Sequence, residues 1–155
     1  SMITPLTGNE MNFYDLLLPE DPGTVVMNGK EYAWNTWGEI LNPPADAQIW
    51  ATYKNEFYEG SPAVTFRKLG KGTITYVGVD SHNGALEKDI LKKLYAQLNI
   101  PVMDLPYGVT MEYRNGLGIV LNYSDQPYAF NLPKGAKALI GTTNIPTAGV
   151  LVFSM

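Results

Sequence analysis

The hydrophobic pattern along the chain changes its period twice. Apolar and polar positions alternate in short runs from Thr24 to Val79, recur every three or four residues from Ala85 to Leu98, and alternate again from Val109 onward. Period two marks half-buried strands, and a 3.6 period marks an amphipathic helix. The runs Pro62 to Lys68 and Thr73 to Val79 are rich in β-branched and aromatic residues and are joined by Leu69-Gly70-Lys71-Gly72. That layout predicts a β-hairpin or two neighbouring strands. Val64 and Phe66 share one face of the first run. In the second, Ile74 and Tyr76 lie opposite Thr75 and Val77, so both faces are fairly apolar and the run reads as a central strand.

Upstream, Ser1 to Asn12 is polar and reads as a loose lead-in. Phe13 to Leu18 is an apolar run too short for periodicity to separate strand from helical turn. Asn28-Gly29 stands between the strand-like runs Thr24 to Met27 and Glu31 to Trp34. Both residues accept positive φ, so the pair predicts a tight hairpin. Asn35 to Leu41 reads as extended and Ala47 to Tyr53 as a strand. On that strand Trp50 falls with Gln48 and Thr52, on the face away from Ile49, Ala51 and Tyr53. Trp50 is therefore expected to be the more exposed of the pair Trp37 and Trp50.

Ala85 to Leu98 predicts the main helix. Leu86, Ile90, Leu94 and Leu98 form its stripe, widened by Leu91 and Tyr95. Asp89 and Lys93 are spaced as a favourable i,i+4 pair, and Pro101 ends the element. Beyond it, turn signals come at short intervals. Val109 to Arg114, Leu117 to Tyr123, Tyr128 to Leu132, Ala136 to Ile140 and Gly149 to Phe153 are candidate strands, with Asn115-Gly116 as a second hairpin turn. The pattern predicts an α/β or α+β fold: hairpins and a sheet covered by one main helix over residues 1–103, then a small antiparallel β domain over 104–155.

Composition narrows the function classes. A 155-residue chain with 45% hydrophobic and 17% charged residues belongs to a folded domain, not a disordered one. The net charge of −4 gives no basic footprint for nucleic acid. No apolar run reaches the roughly 20 residues that span a bilayer, so neither nucleic acid nor membrane is an expected partner. The absence of cysteine excludes disulfides and thiolate chemistry. The leading Ser1-Met2 looks like the remnant of tag removal, which points to an excised piece.

Several motifs in fixed order carry a family resemblance: Trp37-Gly38-Glu39, Tyr53, Gly60-Ser61-Pro62-Ala63-Val64, Gly70-Lys71-Gly72 and Tyr76-Val77-Gly78. From about Tyr14 to the C-terminus the chain resembles the C-terminal region of family 42 glycoside hydrolases, the bacterial β-galactosidases. Trp37-Gly38-Glu39 stands where that family has Trp-Ala-Glu, with glycine replacing alanine, and its place in that motif implies that Trp37 is buried by packing. The resemblance implies the second half of an amidotransferase-like trimerisation domain, followed by the family's terminal β domain. It implies as partners the catalytic barrel of a parent protein and identical subunits, with a galactoside as the parent's substrate. It also favours a bacterial, cytoplasmic setting, though the compartment stays open.

No catalytic residue carries over. Retaining glycosidases place two carboxyl groups about 5–5.5 Å apart, in this family on a (β/α)₈ barrel that alone takes about 250 residues. Glu39 is the most motif-like acid and is read as structural. Asp80 ends a strand without an evident partner carboxylate. Gly70-Lys71-Gly72 lacks the length and following helix of a phosphate loop and is read as a turn. His82 with Asp80 is a poor ligand set, so no metal or cofactor is expected, and without cysteine no amidotransferase triad exists. Asn122-Tyr123-Ser124 matches a glycosylation sequon but falls inside a predicted strand. Trp34, Trp37 and Trp50 cluster with several tyrosines, serving either packing and subunit contact or sugar stacking. The expected function is a non-catalytic assembly fragment, inactive by itself. A carbohydrate-binding module with an aromatic surface is the alternative.

Overall fold

The computed structural model describes residues 3–155. Ser1 and Met2, read above as a tag remnant, lie outside the described residues. The described residues form two compact units, one up to residue 101 and the other over residues 102–155. Every strand pairing among the described residues is antiparallel. The fold is therefore β-rich with one long helix. An α/β label fits it only loosely, because the parallel strands that define that class are not seen among the described residues.

The first unit is built on seven strands. β1 (Glu10–Asp15), β2 (Gly23–Met27), β3 (Lys30–Asn42), β4 (Gln48–Lys54), β5 (Pro62–Leu69) and β6 (Gly72–Val77) lie in the order β1-β3-β2-β4-β5-β6, and β7 (Val79–Ser81) pairs with β3. The lead-in is structured: α1 (Thr4–Thr7) and β1 occupy most of what the sequence presents as loose. Asn28 (φ 52°) and Gly29 (φ 78°) close the β2–β3 hairpin as expected of two left-handed turn residues. β3 is long enough to serve three partners, pairing with β7 near its middle. Its first half pairs with β2 and its second half with β1.

Two expectations about strand placement are corrected. β6 ends the sheet and is not central; its half-buried residues lie beside α1, which shields part of them. On β4, the pairing with β5 shifts register on either side of Ala51. Such a bulge breaks simple alternation, so Trp50 and Ala51 are both buried while Ile49 is exposed.

α2 (Ala85–Gln97) follows a 3₁₀ turn, His82–Gly84. Its Leu86 and Ile90 are buried, and Leu94 is half-buried, against a core that includes Val25, Trp34, Tyr53, Val64 and Phe66. Burying each such aliphatic side chain contributes about 1.5–3 kcal/mol. The stripe is narrower than its sequence suggests, since Leu91, Tyr95 and Leu98 stay exposed. Asp89 does not use Lys93: it takes Lys30 Nζ at 2.6 Å and the Tyr32 hydroxyl at 2.8 Å, both from β3. Lys93 instead lies over the Trp50 ring, 3.9 Å from its centroid.

In the second unit β8 (Val109–Arg114), β9 (Leu117–Asn122), β11 (Lys137–Ile140) and β13 (Val150–Ser154) form a sheet ordered β11-β13-β9-β8. β10 (Tyr128–Ala129) and β12 (Asn144–Ile145) make a separate pair. Asn115 and Gly116 close the β8–β9 hairpin with positive φ at both residues. The core holds Val109, Val120, Phe130, Ile145, Leu151 and Phe153. On β9 the buried face is Gly118, Val120 and Asn122, while the bulkier Leu117, Ile119 and Leu121 are half-buried. Phe153 explains this choice. Its ring lies over Gly118 and fills the space that a Cβ there would need.

Candidate functional site: an aromatic and acidic edge

The three tryptophans occupy three different environments. Trp34 is fully buried (0% exposed) and meets Tyr53 edge to face, with ring centroids 5.5 Å apart. Trp50 is 6% exposed and stacks on Phe66 at 4.6 Å. Trp37 is 39% exposed and stacks on Tyr14 of β1 at 4.6 Å, with 11° between the planes. The expected order of Trp37 and Trp50 is thus reversed. Period two on β3 points Tyr32, Trp34, Gly38 and Ile40 inward, and so turns Trp37 outward.

Glu39 is positioned by β3 beside that outward tryptophan. Its carboxylate accepts from Trp37 Nε1 at 3.3 Å and, through a short bond, from the Tyr76 hydroxyl on β6. Its backbone carbonyl accepts from the Tyr53 hydroxyl at 3.0 Å. Burial, then the bond to Glu39, pushes the Tyr76 hydroxyl up to about 12, so it remains a donor at neutral pH. Tyr53 is also raised well above the usual phenol value, first by burial and then by the Glu39 charge. On the same unit Tyr58 donates to Asp15 at 2.6 Å, and burial followed by that carboxylate raises its hydroxyl too.

Asp80, Glu39 and Glu87 line one shallow depression together with Trp37, a grouping that sequence distance conceals. Glu87 is not on a solvated helix face. It accepts from the Ser81 backbone N–H at 3.1 Å and from the Ser81 hydroxyl, whose oxygen accepts from Leu86 N–H at 3.0 Å. This is a reciprocal cap at the start of the helical segment. The usual spacing signal is hidden because the 3₁₀ turn, with Asn83 and Gly84 at positive φ, intervenes. Glu39 and Glu87 thus act as structural acceptors. Among the described residues no three His, Cys, Asp or Glu groups gather into a set that could hold a metal.

Beside this depression the sheet ends in β1, which has no second partner strand among the described residues. Five of its six residues are exposed, whichever face they occupy. Met11, Phe13, Tyr14, Leu16 and Leu18 present apolar surface on and just beyond it, and Phe57 extends the patch by stacking on Phe13 at 5.7 Å. Exposed edges and contiguous apolar patches mark surfaces made for another chain or segment. The sequence hides this feature, because the run Phe13 to Leu18 is what a buried strand would also show.

Residues 1–106 match the family described as the β-galactosidase trimerisation domain, and residues 108–155 match the β-galactosidase C-terminal domain. The chain belongs to this β-galactosidase family, and it covers those two domains without a catalytic barrel. It is 30% identical over 115 residues to a β-galactosidase of a Geobacillus species, covering 71% of this chain and 17% of that protein. It is 41% identical over 73 residues to one of Lactobacillus acidophilus, covering 47% of this chain and 11% of the relative. The β-galactosidase structure from the haloarchaeon Halorubrum lacusprofundi superposes with a TM-score of 0.82 at 24% identity, over 99% of this chain and 23% of that one. That from Marinomonas ef1 gives 0.79 at 22% identity, over 98% and 21%. The chain thus spans well under a third of the length of each of these proteins. No helix among the described residues is long and apolar enough to cross a membrane.

Proposed function

We propose that this chain is the assembly region of a β-galactosidase. It joins identical subunits to one another and supports a catalytic barrel that acts on galactosides. In this reading its first unit is the second half of an amidotransferase-like α/β module, whose parallel strands come from the parent protein. The exposed β1 edge carries the proposal: a strand with apolar residues on both faces and a free hydrogen-bonding side is stable in water only at a cost that a partner removes.

Sedimentation of the 155-residue chain over a wide concentration range tests it. We expect concentration-dependent self-association, weakened by the double substitution Phe13→Asp and Leu16→Asp with the circular dichroism spectrum retained. A monomer at the highest attainable concentration would overturn the reading.

A further inference from the structure

The second unit carries a cleft of about 770 Å³, lined by Pro106, Tyr107, Tyr123, Asp125, Gln126 and Tyr128 among others. That size falls within the roughly 300–1,000 Å³ of small-molecule sites. Tyr107 is wholly exposed and Tyr123 is 71% exposed. Large rings held in water contribute little to folding, yet the backbone that presents them is firmly fixed. Gly108 has φ +81°, and a Cβ there would fall 2.9 Å from Ser124 N. Its carbonyl accepts from Tyr123 N–H at 2.6 Å. The two tyrosine-bearing segments are therefore locked together.

A buried side chain fixes the rest of the rim. Asn122 is 1% exposed, and its Nδ2 donates to the carbonyls of Gln126 (2.8 Å), Ile145 (3.1 Å) and Pro146 (3.2 Å). Its Oδ1 accepts from the Ser124 N–H at 3.0 Å and hydroxyl at 2.6 Å. The same burial removes Asn122 from use as a glycosylation acceptor. Held in this way, the bend presents the Asp125 carboxylate and the Gln126 carboxamide. Neither makes a side-chain hydrogen bond within the protein among the described residues. A fixed backbone that carries uncommitted polar groups beside aromatic rings is the layout of a small-molecule site.

We propose that this cleft binds a neutral saccharide of one or two pyranose rings. A pyranose has an apolar C–H face that matches a tyrosine ring, and adjacent hydroxyls along its edge. A carboxylate only accepts, so Asp125 takes two hydroxyl protons, while the Gln126 carboxamide both donates and accepts. Asp125 is the one charged side chain lining the cleft among the described residues, which favours a ligand rich in donors. A proline-rich segment also suits aromatic grooves, but its prolines offer carbonyls without N–H groups and leave Asp125 without a partner.

The test is amide-resolved NMR on the full 155-residue chain, titrated with lactose, galactose and maltose into the tens of millimolar. Saturable shifts are expected at Tyr107, Gly108 and the amides from Ser124 to Tyr128, with the three tryptophan indole signals of the first unit unmoved. Tyr123→Ala and Asp125→Asn should each weaken binding roughly tenfold or more, with the β8–β9 amide pattern unchanged. Absence of shifts with every sugar would overturn the proposal. So would shifts confined to the Trp37 indole, equal binding by both variants, or a response to a proline-rich peptide alone.

Discussion

At the residue scale, the absence of a side chain at position 38 has a steric cause. A Cβ on Gly38 would lie 2.7 Å from Trp34 Cη2 and 3.0 Å from the Tyr53 hydroxyl, in the centre of the first unit's core. Gly38 has no positive φ, so the obstacle is volume and not backbone conformation. Overpacking of this kind typically costs about 1–3 kcal/mol. Gly38→Ala is expected to lower the unfolding free energy, read by chemical denaturation, by that amount. In a Trp34→Phe background, where the six-membered indole ring that fills this space is gone, the cost should fall by half or more. Equal costs in both backgrounds would show that Trp34 is not the obstacle. The pairing of Trp34 and Gly38 as neighbours was partly legible, since both lie on the inward register of one strand. The exposure of Trp37 follows from the same register once β3 is read as continuous through residue 42. Burial of Trp50 could not be read in this way, because a bulge set by the pairing of β4 with the next strand, β5, moves it.

At the element scale, Asp89 makes a polar tie between α2 and the β2–β3 hairpin, beside the apolar packing of Leu86 and Ile90. The Lys30 bond, then the Tyr32 bond, holds its carboxyl below the usual carboxylate value, while burial opposes them. Burial, followed by the Asp89 bond, pushes the Tyr32 hydroxyl up to about 12, so it is a donor throughout the acid and neutral range. Because the folded-state value is depressed, the unfolded chain binds the proton more readily. The stabilisation is therefore present above the ordinary aspartate value near 4 and is lost as pH falls through the folded-state value. Lys30 is largely exposed and the pair is screened, so the contribution is on the order of 0.5–1.5 kcal/mol. Asp89→Asn should lower the melting temperature at pH 7, and the gap from wild type should close as the pH drops below about 4. A gap independent of pH would mean that the carboxylate charge is not involved. Sequence spacing alone points Asp89 to Lys93, one helical turn further on, whereas its hydrogen-bond partners come from a strand. Local periodicity finds the helix well. It does not show which of its charges meet a strand more than fifty residues away.

At the scale of the whole molecule, the antiparallel second unit was largely readable, since Asn-Gly turns and period-two runs are local signals. The ordering of strands in the first unit was not, because β1 and β7 reach β3 across long sequence separations. The same is true of the acids: Glu39, Asp80 and Glu87 meet only in the folded unit, around the depression beside Trp37. Their meeting raises the question of hydrolysis directly. A glycosidase needs one carboxyl group free to protonate the leaving oxygen and another aimed across the sugar. Glu39 instead holds Trp37 and Tyr76, and Glu87 holds Ser81 at the helix start. Of the three, only Asp80 is without such a duty, and one carboxylate cannot serve as both acid and nucleophile. The purified chain is therefore expected to release no chromophore from a nitrophenyl galactoside above the rate in buffer. Turnover that survived repurification and vanished on Asp80→Asn would place a catalytic site in this depression and overturn the assignment of the chain as non-catalytic.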